Sequence, residues 1–580
     1  MCGFVVTVGG DFTVWQVEEA CNTLRHRGPD ARGVYSHEER NVHMAHVRLK
    51  VIDLGDGANQ PMWSADGRYV MVYNGEIYNY CELREQLRGY PFRTQSDTEV
   101  LLAAFERWGL DCLDRCNGMF AFVVWDAQSG KLVAVRDRFG VKPLYYARWG
   151  EALVLASEIK AICHLIPQLR SDNEVAWATY LRYGRYPEPE QTFYKGIYPI
   201  PAGHVAEYCG GGMRLVRWYR FEERVGAYGV VDAVEEGEYE ELLYDALRLR
   251  FRSDVELGVC LSGGVDSALL AGLMRRMGQD RVRAYHFITG DKRYDERPWV
   301  EAFLRHNAMH LEVVQLRMEE VPRLAIEVMR YEDEPYGGIP TLAYSRVFES
   351  ARSAGTIVVL DGQGMDEQWA GYDYYARVGT ENDIVVPVQG SADSPVRPQC
   401  MVRSFYEMAQ QTIYPRPFED ELQNLQYRDI FYTKLPRALR FNDRVSMMWG
   451  IELREPFLDY RLVERAFALS VRWKIRDGVH KYLLRKIASR YVPEGVALAP
   501  KRAVQTPQRE WMREALHPWV EEMIHQALDE YGGRWLETDA VWKAYQEYRS
   551  GAGDNSFFLW QWVSLGMWAQ FKRTDEAFRS

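Results

Sequence analysis

The sequence predicts two domains of different class: an α+β domain rich in strands, followed by an α/β domain built on a doubly wound parallel sheet. Three observations carry this expectation. Short apolar runs punctuated by Gly and Pro turns recur from Phe4 to Tyr208, the pattern of a strand-rich unit. Beyond Glu238, apolar runs alternate with stretches of helical spacing, as in βαβ units. Between the two, the run Cys209-Gly-Gly-Gly212 breaks the strand pattern and the chain turns polar and acidic from Glu222 to Glu241. The boundary therefore falls between about 210 and 235, and the expected domains are residues 1–215 and 216–580.

Composition agrees with a folded enzyme-sized chain. At 580 residues it exceeds one ordinary core, and 47% hydrophobic with 26% charged residues is the balance of a packed protein. The formal net charge of -11, with basic residues interspersed among acidic ones, gives no footprint for nucleic acid. No apolar run approaches the ~18 residues of a membrane span, and Met1 to Gly10 lacks a signal peptide's basic start and apolar core. A cytoplasmic protein with no membrane or nucleic-acid partner is expected. Nine scattered cysteines make no disulfide framework. Cys112 and Cys116, one helical turn apart without a second close pair, read as half-buried thiols and not as a metal site.

The first domain opens on an apolar strand, Cys2-Gly-Phe-Val-Val6. Removal of the initiator Met would leave the Cys2 thiol beside its own α-amine, whose ordinary pKa of about 7.7–8.0 lets it take the thiol proton near neutral pH. His26-Arg-Gly-Pro-Asp30 reads as a Gly-Pro turn and Ala45 to Asp53 as a strand holding Arg48. Asn74-Gly75-Glu76 reads as the start of an Asn-Gly turn. Ser96-Asp97-Thr98-Glu99 reads as the cap of a helix over Val100 to Trp108.

In order and spacing these segments resemble the class II glutamine amidotransferase domain, an N-terminal-nucleophile hydrolase with a layered αββα sandwich. The resemblance implies that Cys2 attacks the side-chain amide of glutamine and that the Asn74 amide and Gly75 N–H form the oxyanion hole. Arg48 would hold the glutamine carboxylate and Asp97 its ammonium, with Glu76 beside them. Arg136 to Tyr146 and Ala156 to Ala161 also match, in structural parts.

The second domain opens with a helix expected over Glu238 to Arg252, which leads to Val259-Cys-Leu261-Ser262-Gly263-Gly264-Val-Asp266-Ser267. This is an apolar strand, a tight loop and a helix carrying Leu269, Leu270, Leu273 and Met274. Glycines permitting close backbone approach, amides at the helix start and two hydroxyls make an anion cradle. It lacks the GxxxxGKS/T spacing of the Walker loop. Strands expected over Arg283–Thr289 and Thr356–Leu360 end in Gly290-Asp291 and in Asp361-Gly-Gln363-Gly-Met-Asp366-Glu367, so their loops share the carboxyl edge of the sheet where ligands bind. Asp266 and Asp366 thereby bring carboxylates to the two sides of that cradle. Lys481 and Arg485 fall four apart, as on one helix face. The apolar Phe557–Trp568 is expected as a buried helix.

The string SGGVDS resembles the pyrophosphate loop of the ATP pyrophosphatases, which implies ATP with Mg2+; such a site needs one or two carboxylates, and Asp266 and Asp366 are the candidates. Phe441 to Lys481 closely resembles the asparagine synthetase domain. From Cys2 to about Trp568 the chain is similar to glutamine-dependent asparagine synthetases. That similarity implies Leu261, Ser262, Gly263, Gly264, Asp266, Ser267 and Lys481 as the ATP and pyrophosphate site, with Lys481 neutralising the departing pyrophosphate. It implies glutamine, ATP and a carboxylate acceptor as partners, aspartate being the expected acceptor, and it allows a homodimer. Ammonia released at Cys2 would pass through an internal tunnel to an acyl-adenylate, sheltered from water that would protonate it.

One position departs. Where well-known members read SGEGSDE, this chain reads DGQGMDE, with Gln363 in place of the first glutamate. An amide does not accept a proton as a carboxylate does. Either Asp333, Glu334 or Glu367 supplies a base, or the acceptor differs, for instance a sugar acid, a metabolite or a peptide side chain. Pro387 to Pro398 reads as a breaker-rich loop over the acceptor or a linker. Lactam-forming relatives tend to lose the nucleophilic Cys, which is present here. Phosphoribosyl amidotransferases share the first domain but lack the SGGVDS domain, and a binding protein without activity would not need both residue sets.

Overall fold

A computed structural model describes residues 1–187, 189–233, 235–279, 281–377, 394–502, 506–553 and 555–577. Residues 387–393 of the expected breaker-rich loop lie outside these. The first half is built on strands β1 (Cys2–Val8), β2 (Ala31–His37), β3 (Val42–Arg48), β4 (Met62–Trp63), β5 (Tyr69–Ile77) and β6 (Gly118–Asp126), then β7 (Lys131–Arg136), β8 (Tyr145–Trp149), β9 (Ala152–Ala156), β10 (Ile197–Pro199), β11 (His204–Cys209) and β12 (Gly212–Arg217). They form two six-stranded sheets, ordered β10-β8-β9-β1-β3-β2 and β12-β11-β7-β6-β5-β4.

Side-chain alternation along the strands fixes how the sheets stack. On β1, Phe4, Val6 and Val8 join Val70, Val72, Val123 and Leu132 of the other sheet in the core between them. Val5, one residue out of phase, packs with Val17, Ala20 and Ile162 on the outer helices. The second sheet's other face, with Tyr73, Phe120 and Phe122, is covered by the helix Asp97–Trp108. The result is the expected αββα sandwich. Cys2 shares the parity of Phe4, and Asn74 that of Val72, so the two project toward each other at one end of the inter-sheet core.

Two local expectations differ. Asn74-Gly75 is no turn: both lie inside β5, paired with Ala121 and Phe120 of β6. A Cβ at residue 75 would stand 2.2 Å from the Met119 carbonyl oxygen, so the glycine serves close strand approach. Likewise Cys209–Gly212 does not end the sheet. It is the hairpin joining β11 to β12, and the sheet continues to Arg217.

The second half holds β13 (Leu257–Cys260), β14 (Arg283–Ile288), β15 (His310–Gln315), β16 (Val358–Leu360) and β17 (Glu452–Arg454). These form one parallel sheet, ordered β15-β14-β13-β16-β17. The chain leaves β13 outward to β14 and β15, then returns to β16 on the other side. The crevice between the ends of β13 and β16 is thus the topological switch point, where such sheets bind ligands. Helices Glu236–Arg250 and Val265–Arg276 pack on the sheet, in one cluster with Val259 and Leu360. The last helix, Phe557–Ala577, buries Leu559, Trp560, Val563 and Trp568 as expected.

The halves share one core. Met1, Leu49, Val51, Tyr78 and Met119 pack in the same cluster as Val259, Leu261, Leu360 and Leu458. A buried ionic network crosses the junction: the Arg27 guanidinium donates to Glu158 at 2.7 Å and to Asp443 at 2.8 Å, and Arg444 pairs with Glu158 at 2.8 Å. No helix among the described residues is long and apolar enough to cross a membrane.

Candidate active sites

The first site surrounds the amino end of β1. The Cys2 amide donates to Asn74 Oδ1 at 3.0 Å, and Cys2 stands opposite Arg48 in the β1/β3 register. The Asn74 Nδ2 group is buried with no hydrogen-bond partner, a donor held ready beside the thiol. Burial pushes the Cys2 thiol above its ordinary value. Met1 occupies this pocket: its ammonium donates to Glu452 Oε2 at 2.9 Å, buried on both sides.

The carboxylates around that ammonium are those the sequence singled out, joined by one it did not. Asp97 Oδ2 accepts the Tyr73 hydroxyl at 2.8 Å and the Ile77 amide at 3.0 Å; burial raises its pKa against these bonds. Burial, then Glu452 and Asp97, drive Glu76 well above the usual carboxylate range, and its Oε2 has no hydrogen-bond partner. Glu452 itself lies low despite its burial, because the Met1 ammonium and Arg454 favour its charge. Arg48 is engaged elsewhere. Its Nη1 donates to the Gly55 carbonyl at 2.8 Å and Asn59 Oδ1 at 2.9 Å, and its Nη2 to Ile52 and Asp53 carbonyls. No Nη hydrogen remains for a ligand in this arrangement.

The second site fills the switch-point crevice. Ser262, Gly263, Gly264, Asp266, Ser267, Asp361, Gln363, Asp366 and Lys481 line one pocket. Leu261 lies behind it, buried, its amide paired with the Tyr285 carbonyl at 2.8 Å. The Ser262 and Ser267 hydroxyls bond each other at 2.9 Å, and the Gly263 amide donates to Glu296 Oε2 at 3.1 Å. An acidic group therefore already sits on a loop amide where an anion would bind.

Opposite the loop, Lys481 Nζ stands between Asp266 Oδ2 at 2.5 Å and Asp366 Oδ1 at 2.6 Å. Burial opposes the charge of Lys481, yet the two aspartates hold its pKa above the ordinary value. Lys501 also pairs with Asp366. Lys481 is not on a helix face with Arg485. It precedes the helix Tyr482–Ala488 in a left-handed conformation, φ 57°, a costly backbone state for a non-glycine residue, of the kind that clusters at functional sites. Arg485 points instead to the carbonyls of Ala497, Ala499 and His480. Gly371 lets Lys481 and Asp366 meet: a Cβ there would be 2.0 Å from Asp366 Oδ1 and 2.3 Å from Lys481 Cε.

The three candidate bases separate in space. Asp333 faces Lys160 at 3.1 Å, and Glu334 faces Arg440 at 2.8 Å and the Phe193 amide at 2.7 Å; both belong to the junction with the first domain. Glu367 follows Asp366 but turns to the Tyr372 hydroxyl at 2.6 Å, and burial and then Asp366 raise it to about 7. Sequence reasoning gave no part to Glu296, Tyr344, Lys501 and Arg502, which line the same pocket. Nor did it single out the charges of β17, whose signal was visible as Glu452 and Arg454 alternating within a buried strand.

Comparison with known proteins matches residues 1–219 to a glutamine amidotransferase domain and residues 238–570 to asparagine synthase. A putative glutamine-hydrolysing asparagine synthetase of Mycobacterium tuberculosis (strain ATCC 25618 / H37Rv) is 29% identical, the alignment covering 95% of this chain and 93% of the relative. Glutamine-hydrolysing asparagine synthetase 1 of Bacillus subtilis (strain 168) is 27% identical over 98% of this chain and 96% of its own. Amidase chry2 of Gibberella zeae is 27% identical over 97% and 96%.

Proposed function

Since the chain belongs to the asparagine synthase family and carries a glutamine amidotransferase domain ahead of that unit, we propose that it moves the amide nitrogen of glutamine onto an adenylated carboxylate. Aspartate is the first acceptor to test, giving asparagine, glutamate, AMP and pyrophosphate. The observation that carries this reading is the pairing of two equipped pockets across one shared strand. Glu452 and Arg454 of β17 reach Met1 and Glu76, Arg454 standing 3.9 Å from Glu76, while the loop beyond neighbouring β16 lines the second pocket.

In the first pocket, loss of Met1 would free the Cys2 amine and vacate the carboxylate cluster now holding an ammonium. Glutamine's own ammonium suits that cluster. The Cys2 thiolate would add to the side-chain carbonyl, and the Asn74 amide with the Gly75 N–H would take the developing oxyanion, interactions worth about 2.7–4 kcal/mol where single donors have been removed. Arg48 would meet the glutamine carboxylate by exchanging one of its loop carbonyls.

In the second pocket, the loop from Ser262 to Ser267 would cradle phosphates once Glu296 yields the Gly263 amide. Lys481 would follow the pyrophosphate oxygens and leave Asp266 and Asp366 to a cation. These residues fit Mg2+: Asp266 Oδ1 is buried without a hydrogen-bond partner, and two carboxylates plus phosphate oxygens are a usual magnesium shell. When bound, the metal would supply charge neutralisation at the phosphates.

A second reading keeps this machinery and changes the acceptor. Gln363 in the pocket wall favours it. The experiment is an acceptor screen: full-length protein with glutamine, Mg2+ and ATP, offered aspartate and then sugar acids and peptide carboxylates, followed by pyrophosphate release. Turnover of aspartate supports the first reading. Turnover of another acid with none for aspartate replaces it, and ADP in place of AMP rejects both.

A further inference from the structure

Gln363 puts an amide, which does not accept a proton as a carboxylate does, into the wall of the second pocket, and the structure sets another carboxylate beside the start of the same loop. Glu455 follows β17 directly. In the parallel pairing of β16 with β17, Leu360 stands opposite Arg454, and the Asp361 amide donates to the Arg454 carbonyl at 2.9 Å. Residues 361 and 455 therefore leave adjacent strands side by side at the carboxyl edge of the sheet. The turn after Glu455 is packed on the loop that carries Gln363. Gln368 Nε2 donates to the Phe457 carbonyl at 2.8 Å, and a Cβ on Gly364 would stand 2.3 Å from Leu458 Cδ2.

On its other side Glu455 faces the first domain. The charged groups around it are Lys142 and Asp137 of that domain, with Asp361 and Asp443 of its own. Lys142 Nζ lies 3.5 Å from Asp443 Oδ1, and Asp137 is occupied by the backbone amides of Phe120, Phe139, Val141 and Lys142. Glu455 is buried, and its Oε2 has no hydrogen-bond partner. It thus stands between charged groups of the first domain and the strand end from which the loop of Gln363 departs.

We propose that Glu455 is the proton acceptor of the amide-forming step. The proposal rests on the adenylation reading above. The ammonia lone pair forms the new C–N bond at the activated carboxyl carbon. The C–O bond to AMP breaks with its electron pair going to the phosphate, and the one proton lost from nitrogen passes to the Glu455 carboxylate. Burial first, partly opposed by Lys142 and reinforced by Asp361, Asp443 and Asp137, raises this carboxyl to about 8. A base with that pKa is matched to proton transfer near neutral pH.

The test uses full-length Glu455→Gln and Glu455→Asp with ATP, Mg2+ and saturating ammonium chloride. The acceptor is aspartate or whichever acid supports pyrophosphate release in the screen. Two rates are read: acceptor-dependent exchange of labelled pyrophosphate into ATP, which reports adenylation, and amide formation. Glu455→Gln should keep exchange within about two-fold and lose about 100-fold or more in amide formation. Glu455→Asp should recover part of that loss. In wild-type protein, amide formation should rise with pH through about 8 while exchange does not, and the rise should vanish in Glu455→Gln. Unchanged amide formation in Glu455→Gln, or a parallel loss of exchange in both variants, overturns the proposal. Absence of exchange in wild-type protein removes the adenylate, and the proposal with it.

Discussion

Replacing Asn74 by alanine separates catalysis from stability in a way the geometry makes quantitative. The wild-type side chain accepts one hydrogen bond, from the Cys2 amide, while its own Nδ2 donor is buried and unpaired. Losing the accepted bond leaves the buried Cys2 amide unpaired at a cost of about 1–3 kcal/mol, but removing a buried unsatisfied donor returns about 1–3 kcal/mol. The folded state should therefore shift by no more than about 2 kcal/mol in either direction. The transition state is different, because there the Nδ2 group would meet the oxyanion. Its loss should cost about 2.7–4 kcal/mol, a fall of about 100- to 1,000-fold in glutamine hydrolysis at 1.36 kcal/mol per decade. Three assays decide it: glutamate release, amide synthesis from added ammonium, and thermal melting. Synthesis from ammonium should be unchanged. A loss of less than ten-fold in glutamate release, or an equal loss with ammonium, would refute the oxyanion role.

Two further substitutions probe the second pocket and the junction. Gly371→Ala places a methyl group against both Asp366 and Lys481; a displacement of about 1 Å in such a constellation can cost about 100-fold, so pyrophosphate release should collapse while glutamate release persists. Arg27→Met leaves Glu158 and Asp443 with one cation fewer in a buried network and should destabilise the protein by about 3–5 kcal/mol, read as a lower melting temperature. The same network sets an acid limit. Burial would raise both carboxylates, but Lys160, Arg444, His26 and Arg27 hold Glu158 well below its ordinary range, and Arg27 and Lys142 hold Asp443 below its own. Their folded pKa values are depressed, so their stabilisation is present above the unfolded values near 4 and is lost as pH falls below them. Melting temperature plotted against pH should drop steeply below about pH 4 in wild-type protein and less steeply in Arg27→Met.

Local pattern made much of this molecule legible. Alternation placed Phe4, Val6 and Val8 on one face, and the change of spacing after Ser262 marked strand, loop and helix. Ser96 caps its helix by accepting the Glu99 amide at 3.2 Å, as its residue type implies. What pattern misread was set by partners distant in the chain. Asn74-Gly75 carries turn chemistry, yet strand pairing with Ala121 and Phe120 overrides it. Lys481 fits a helical spacing, but two aspartates from the first turns of other helices draw it into the pocket ahead of its own. Cys112 and Cys116 are fully buried where half-burial was expected. Glu452 and Glu455 gain meaning only from charges more than 300 residues away, the Met1 ammonium and Lys142, which no local window contains.

The central claim is that nitrogen set free at Cys2 is used in the pocket beside Lys481 without escaping to solvent. It is tested most directly by supplying glutamine labelled with nitrogen-15 in its side-chain amide, together with ATP, Mg2+, the accepted carboxylate and excess unlabelled ammonium at a pH near 7, then weighing the amide product. The account expects product carrying the label, with AMP formed in equal amount, and unlabelled product alone from Cys2→Ala. Wild-type product carrying the diluted isotope ratio of the bulk ammonium would contradict it.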